Sequence, residues 1–263
     1  MTQYTPPTPE ELPPAPPRAV RVTLPASVPY MTYALIGITT AVYLLQLASQ
    51  SLLGTDLPAA LGAKANDLIR AGQLWRLVTP VLLHASIPHI LFNMYALWLF
   101  GVGLERHFGR WRFLVLYALG GFTGNVLSFL LSSGLSVGAS TSIFGLVAAE
   151  CIFLLQNRQL FSNQFGRAIG NVVFVVAVNL ALGAVTPGID NWGHVGGLLG
   201  GLIFTWFAGP LWEVRETVEA GNTVPALRLV DGPEPRQVIT GAAEVLLIFG
   251  AIAVIGIVHT ITP

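Results

Sequence analysis

Helix-length apolar stretches alternate with short polar or glycine-rich breaks along most of this chain of 263 residues. A bilayer crossing needs about 17 to 25 mostly apolar residues. Candidate spans run from Tyr30 to Leu53, His89 to Leu104, Phe113 to Ser133, Ser140 to Gln156, Ala168 to Thr186, Gly193 to Trp212 and Ile239 to Ile261. The second is short and interrupted by Asn93. The pattern predicts an all-α polytopic transmembrane bundle of about seven spans. Residues 54–88 mix Leu68, Ile69, Leu74, Trp75, Leu77 and Val78 with polar positions, so this first loop is expected to lie partly in the membrane interface. Residues 213–238, with Glu213, Arg215, Glu216, Glu219 and Asp231, read as a solvated connection. The chain thus divides into a core at 30–212 and an additional carboxyl-terminal span within 239–263. No internal repeat is apparent, which counts against the repeat-built transporters.

Composition supports the membrane reading, with 53% hydrophobic and 10% charged residues, against about 25% charged in an average soluble domain. Thirteen basic and thirteen acidic residues balance to a formal charge of zero, which offers no basic surface for nucleic acid. Cys151 is the single cysteine, so no intrachain disulfide is possible. Residues 1–29 hold nine of the 18 prolines and no apolar core of the kind a cleavable signal needs. They read as an extended or disordered tail.

Orientation follows from lysine and arginine. With a cytoplasmic amino terminus, ten fall on the cytoplasmic side (Arg18, Arg21, Arg106, Arg110, Arg112, Arg158, Arg167, Arg215, Arg228 and Arg236) and three outside (Lys64, Arg70 and Arg76). The carboxyl terminus is then outside, and the expected location is a bacterial plasma membrane. The spans beginning at His89, Ser140 and His194 all enter from that outer side.

Polar residues inside a bilayer are costly and tend to mark function. Small residues precede Ser140 in Gly138-Ala139-Ser140, and a serine at a helix start sits beside free backbone amides that can receive an oxyanion. The alternative is a simple helix cap, for which serine is favoured. Ser142 would face another side of the helix. His194 is followed by Gly196, Gly197, Gly200 and Gly201, whose spacing of four lets two helices approach closely and bring an imidazole to a serine. His84, His89 and Asn93 form the third cluster. Pro88 suits a first helical turn, and His89 and Asn93 then share one face, where two donors can stabilise a developing oxyanion. A metal site is the alternative, but His84 and His89 are poorly spaced for shared ligation and no cysteine or acid completes a set.

Taken in order, Trp75-Arg76, the His84, His89, Asn93 pattern, Glu105-Arg106, Gly138-x-Ser140 and His194-x2-Gly197-x3-Gly201 resemble the rhomboid intramembrane serine proteases. The resemblance implies six core spans plus a carboxyl-terminal one. It implies Ser140 as nucleophile, His194 as general base, and His89, Asn93 and the Ser140 amide as oxyanion hole. Phe144 would stack on the imidazole where the family often has tyrosine. Thr141 and Ser142 stand where glycine and alanine are common. Arg76 and Glu105 are expected to hold the first loop. No cofactor is implied. The expected partners are transmembrane protein substrates, cut at helix-weakened sites with small residues, within a lipid bilayer; the fifth span is a candidate gate.

Rival membrane-cleaving chemistries lack their residues. Asp56, Asp67, Asp190 and Asp231 fall outside the spans, Lys64 is the single lysine and lies far from any span serine, and His-Glu-x-x-His is absent. A catalytically silent relative that binds membrane clients is the alternative, although such relatives typically lack the serine or histidine kept here. A small transporter is disfavoured because the polar residues gather near one mouth. Glu150 lies about 15 Å along its helix from Ser140 at 1.5 Å per residue, too deep to join the pair, and is expected to be paired or protonated. Glu244 is expected to be interfacial.

Overall fold

A computed structural model describes residues 28–161, 164–219, 222–229 and 235–259. All but the last two residues of the expected proline-rich tail, and the expected end of the final span at Ile261, lie outside the described residues. The long helices are α1 (Tyr30–Leu53), α4 (Ile87–Phe108), α5 (Arg110–Leu131), α6 (Ser140–Gln156), α7 (Phe165–Val185), α8 (Asn191–Ala208) and α9 (Pro235–His259). Between α1 and α4 lie two short helices, α2 (Leu57–Gly62) and α3 (Asn66–Arg70), and two 3-10 turns at Leu74–Leu77 and Thr79–Leu82. Among the described residues, α1, α4, α5, α7 and α9 are long and apolar enough to cross a membrane. The shorter α6 has 17 residues, and the 18-residue α8 carries five glycines.

Local chemistry sets the boundaries. Ser86 caps α4 by accepting from the His89 amide, and Pro88 occupies its first turn, so the helix begins before His89. It ends at Gly109, whose positive φ of 77° turns the chain directly into α5. The expected solvated connection after α8 contains an antiparallel hairpin, β1 (Trp212–Glu219) with β2 (Asn222–Leu229), in register from Trp212↔Leu229 to Glu219↔Asn222. Apart from Glu216, which interrupts the apolar series, Trp212, Val214 and Val218 alternate with Glu213, Arg215, Thr217 and Glu219. That two-residue period belongs to a strand, and the charges obscured it.

The centre of the bundle is α5, which is 61% buried along its span and packs against α6, α8 and α9. Leu97, Leu104, Phe113, Leu116, Leu146 and Phe204 are fully enclosed there. Through Val245, Phe249 and Ala253, α9 closes the core over α5 and α8. In contrast, 6% of α7 is buried, and Val172 is its one buried residue.

The first loop is tied together internally by Arg76, whose guanidinium donates to the Ala60 and Ala63 carbonyls at 2.7 Å each. Glu105 does something other than the expected loop support. Its carboxylate accepts from the Met31 amide at 2.9 Å, the Thr32 amide at 2.7 Å and the Thr32 hydroxyl at 2.8 Å. Pro29 cannot cap α1 with a side chain, so its first amides need an acceptor, and a carboxylate suits the positive end of a helix.

Candidate active site

Four elements converge around Ser140: the first turns of α4, α6 and α8, and the linker between α5 and α6. Ser140 opens α6, but Ala139 occupies the cap position and no side chain caps the helix. The serine hydroxyl instead lies 3.0 Å from His194 Nε2. The simple cap reading is thereby excluded, and the pair has the separation that proton transfer between a hydroxyl and an imidazole requires.

Close helix approach makes the contact possible. A Cβ at Gly197 would stand 2.0 Å from the Thr141 carbonyl oxygen, and one at Gly201 would stand 2.2 Å from the Gly145 carbonyl oxygen. On the neighbouring face of α8, Cβ atoms at Gly196 and Gly200 would strike Thr123 of α5 at 2.5 and 2.1 Å. One helix therefore meets two partners at backbone distance. Thr141 and Ser142 are accommodated by the same device: the Thr141 side chain lies against Gly124 and Gly193, and the Ser142 hydroxyl lies against Gly121. Both side chains are buried in helix contacts beside α5 and α8.

His194 is oriented from two sides. Its ring stacks on Phe144 with centroids 4.2 Å apart and planes 5° from parallel. Its helix is fixed by Asp190, which caps α8 through the Gly193 amide at 2.9 Å and accepts from the Ser128 hydroxyl. Both carboxylate oxygens are thus engaged elsewhere, and His194 Nδ1 has no hydrogen-bond partner among the described residues. A serine and a histidine stand here without an orienting acid.

Gly138 shapes the other wall. Its φ of 134° suits glycine alone, and a Cβ there would sit 2.8 Å from Cε1 and Nε2 of His89 and 3.7 Å from Ser140 Oγ. His89 and the serine hydroxyl therefore flank one small space. The Ala85 amide donates to His89 Nδ1 over a long 3.4 Å, which assigns the ring hydrogen to Nε2, the atom facing that space. Asn93 donates one amide hydrogen to the His89 carbonyl at 2.9 Å and keeps the other. His84 stands behind, meeting the His89 ring edge to face at 5.0 Å, and its Nε2 accepts from the Ala139 amide at 3.4 Å. Burial, with His89 alongside, lowers its pKa to about 3, so it remains a neutral acceptor.

Three supporting groups escaped sequence reasoning. The Asp190 cap was readable from its place three residues before Gly193. The Ser128 contact and the reciprocal bonds of Gln46 with the His84 backbone (3.0 and 3.2 Å) had no local signal. Glu150 has no ion-pair partner among the described residues.

Fold and site together define a polytopic helical membrane protein with a serine and a histidine in contact at one end of its bundle. The family model for the rhomboid domain matches residues 71–211. Rhomboid protease GluP of Bacillus subtilis (strain 168) is 40% identical over 173 residues, covering 66% of this chain and 34% of that protein. RHOMBOID-like protein 9, chloroplastic, of Arabidopsis thaliana is 36% identical over 160 residues, covering 60% and 37%. RHOMBOID-like protein 1 of the same plant is 40% identical over 137 residues, covering 52% and 35%. The matches thus take in about a third of the length of these relatives. This chain belongs to the rhomboid family, as an integral multi-pass membrane protein.

Proposed function

We propose that the protein is an intramembrane serine endopeptidase that hydrolyses peptide bonds in or beside the transmembrane segments of other membrane proteins. The observation that carries this reading is the 3.0 Å contact between Ser140 Oγ and His194 Nε2, with the imidazole stacked on Phe144. Ser140 Oγ attacks the scissile carbonyl carbon while His194 Nε2 takes the hydroxyl proton. The carbonyl oxygen, now an oxyanion, is held by His89 Nε2–H, the free Asn93 amide hydrogen and the Ser140 backbone amide. Collapse of the tetrahedral intermediate breaks the C–N bond, and His194 returns the proton to the departing amine. Water, deprotonated by the same imidazole, then releases the acyl group from the serine.

The charge distribution supports a cytoplasmic amino terminus and a site that opens to the outer side, with a bacterial plasma membrane as the setting. The substrate enters laterally from lipid past the sparsely packed α7 and unwinds near the cut, because helical backbone shields its carbonyls.

Purified protein in liposomes should cleave a transmembrane reporter, and Ser140→Ala and His194→Ala should each lower cleavage by about three orders of magnitude or more while leaving the fold intact. Cleavage that persists in Ser140→Ala and disappears in Ser142→Ala would assign the nucleophile elsewhere. A wild-type protein that binds membrane clients and cleaves none would favour a silent client-binding role.

A further inference from the structure

The single lysine of the chain is fully enclosed, at 0% exposure, in the first loop between α2 and α3. Burying an ammonium group is costly unless its donors are satisfied, so packing alone would favour an apolar residue. Contrary to the expectation that it lies far from any span serine, Lys64 folds back onto the end of the third expected span: its Nζ donates to the carbonyls of Ser132 and Gly134, each at 2.8 Å. Ser132 is the cap residue at the carboxyl end of α5, where the helix dipole favours a cation, and Gly134 lies two residues further into the linker. The backbone of Lys64 also pairs with Ser136 in both directions, at 3.0 and 3.2 Å. Asn66 adds a bond to the Ser132 carbonyl at 3.0 Å, while Arg76 holds the loop itself through Ala60 and Ala63. Further along, the Gly138 amide reaches the Pro80 carbonyl at 2.9 Å and the Ala139 amide reaches His84. The linker from Ser132 to Ala139 is therefore fastened at both ends before it delivers Ser140.

We propose that Lys64 is a positioning residue of this site: its ammonium group pins the α5–α6 linker and thereby fixes the Gly138-Ala139-Ser140 approach to His89 and His194. The proposal rests on the protease reading for its catalytic consequence. Burial lowers the Lys64 pKa to about 8, with Asp190 opposing that shift and Arg70 adding to it, so the cation predominates at neutral pH.

Lys64→Met and Lys64→Arg are compared in liposomes by three readouts: reporter kinetics, the rate at which a fluorophosphonate labels Ser140, and amide exchange across residues 132–139. In Lys64→Met, kcat and the labelling rate should each fall by about 10-fold or more with KM nearly unchanged, and linker exchange should rise by a similar factor. Lys64→Arg should recover most of each. If Lys64→Met does not fold, Lys64→Gln, which keeps two donors and loses the charge, is judged in the same way. Unchanged linker exchange, or losses matched by a smaller folded fraction, would overturn the proposal. Wild type that labels but cleaves nothing would remove the protease reading and leave labelling and exchange to decide the role of Lys64. Wild type that neither labels nor cleaves would remove both.

Discussion

Phe144 offers His194 a flat surface and no hydrogen bond, so the imidazole is held by this stack together with its own contact to Ser140 Oγ. Ring stacking contributes about 0.5–1.5 kcal/mol beyond buried area. Phe144→Ala should accordingly lower kcat for reporter cleavage by roughly 2- to 12-fold, with KM little changed, and an unaffected kcat would show that the stack does not orient the base. His84 makes a different demand. Its pKa of about 3 lies below the ordinary 6.5, so the folded state resists a proton that the unfolded state accepts. Stability that is complete above pH 6.5 is therefore lost as pH falls toward 3. The loss approaches about 1.4 kcal/mol per pH unit within that window. Thermal unfolding between pH 7 and 4 should include this slope in wild type, and His84→Gln should lessen the total by about that share; an equal slope in both would place the acid sensitivity elsewhere. At this scale Ser140, His194, Phe144 and His89 were legible because each belongs to a short local pattern. Lys64 was not, since its partners Ser132 and Gly134 lie some seventy positions away, with separations of 68 and 70. The partners of Glu105 were hidden for the same reason, at separations of 73 and 74.

The glycine face of α8 is the element on which the site depends. Gly201 meets the Gly145 carbonyl, and any larger side chain must push α6 and α8 apart. Overpacking of a tight contact costs about 1–3 kcal/mol. Gly201→Leu should lower thermal stability by that order and remove cleavage, because the Ser140 to His194 separation rises with the helix spacing. Gly37→Leu, which meets open space on α1 and stands apart from the entry route past α7, is the matched control. Normal cleavage in Gly201→Leu would show that the helices can part without separating the pair. Helix-scale features were the most readable in the sequence: apolar length gave the spans, and the glycine spacing on α8 gave its packing face. Ends were less so, because the Ser86 cap and the Gly109 turn extend α4 beyond its apolar stretch. The hairpin after α8 was missed because its charges masked the alternation.

For the molecule as a whole, the uneven distribution of arginine is the argument for orientation, and it can be tested with one cysteine at a time in a Cys151→Ser background. Ser133 and Gln164 are exposed at opposite ends of the bundle's connections, after α5 and before α7. A membrane-impermeant maleimide should label Ser133→Cys in intact cells and Gln164→Cys only after permeabilisation. The reverse pattern would invert the protein in its membrane. Helix length adds a further constraint at this scale. The 17 residues of α6 extend about 26 Å at 1.5 Å per residue, shorter than a hydrocarbon slab of about 30 Å. Such hydrophobic mismatch is met by thinning the surrounding leaflet or by recessing the helix end beneath the headgroups. Acyl-chain length in the host bilayer then helps to decide how much water the Ser140 hydroxyl meets.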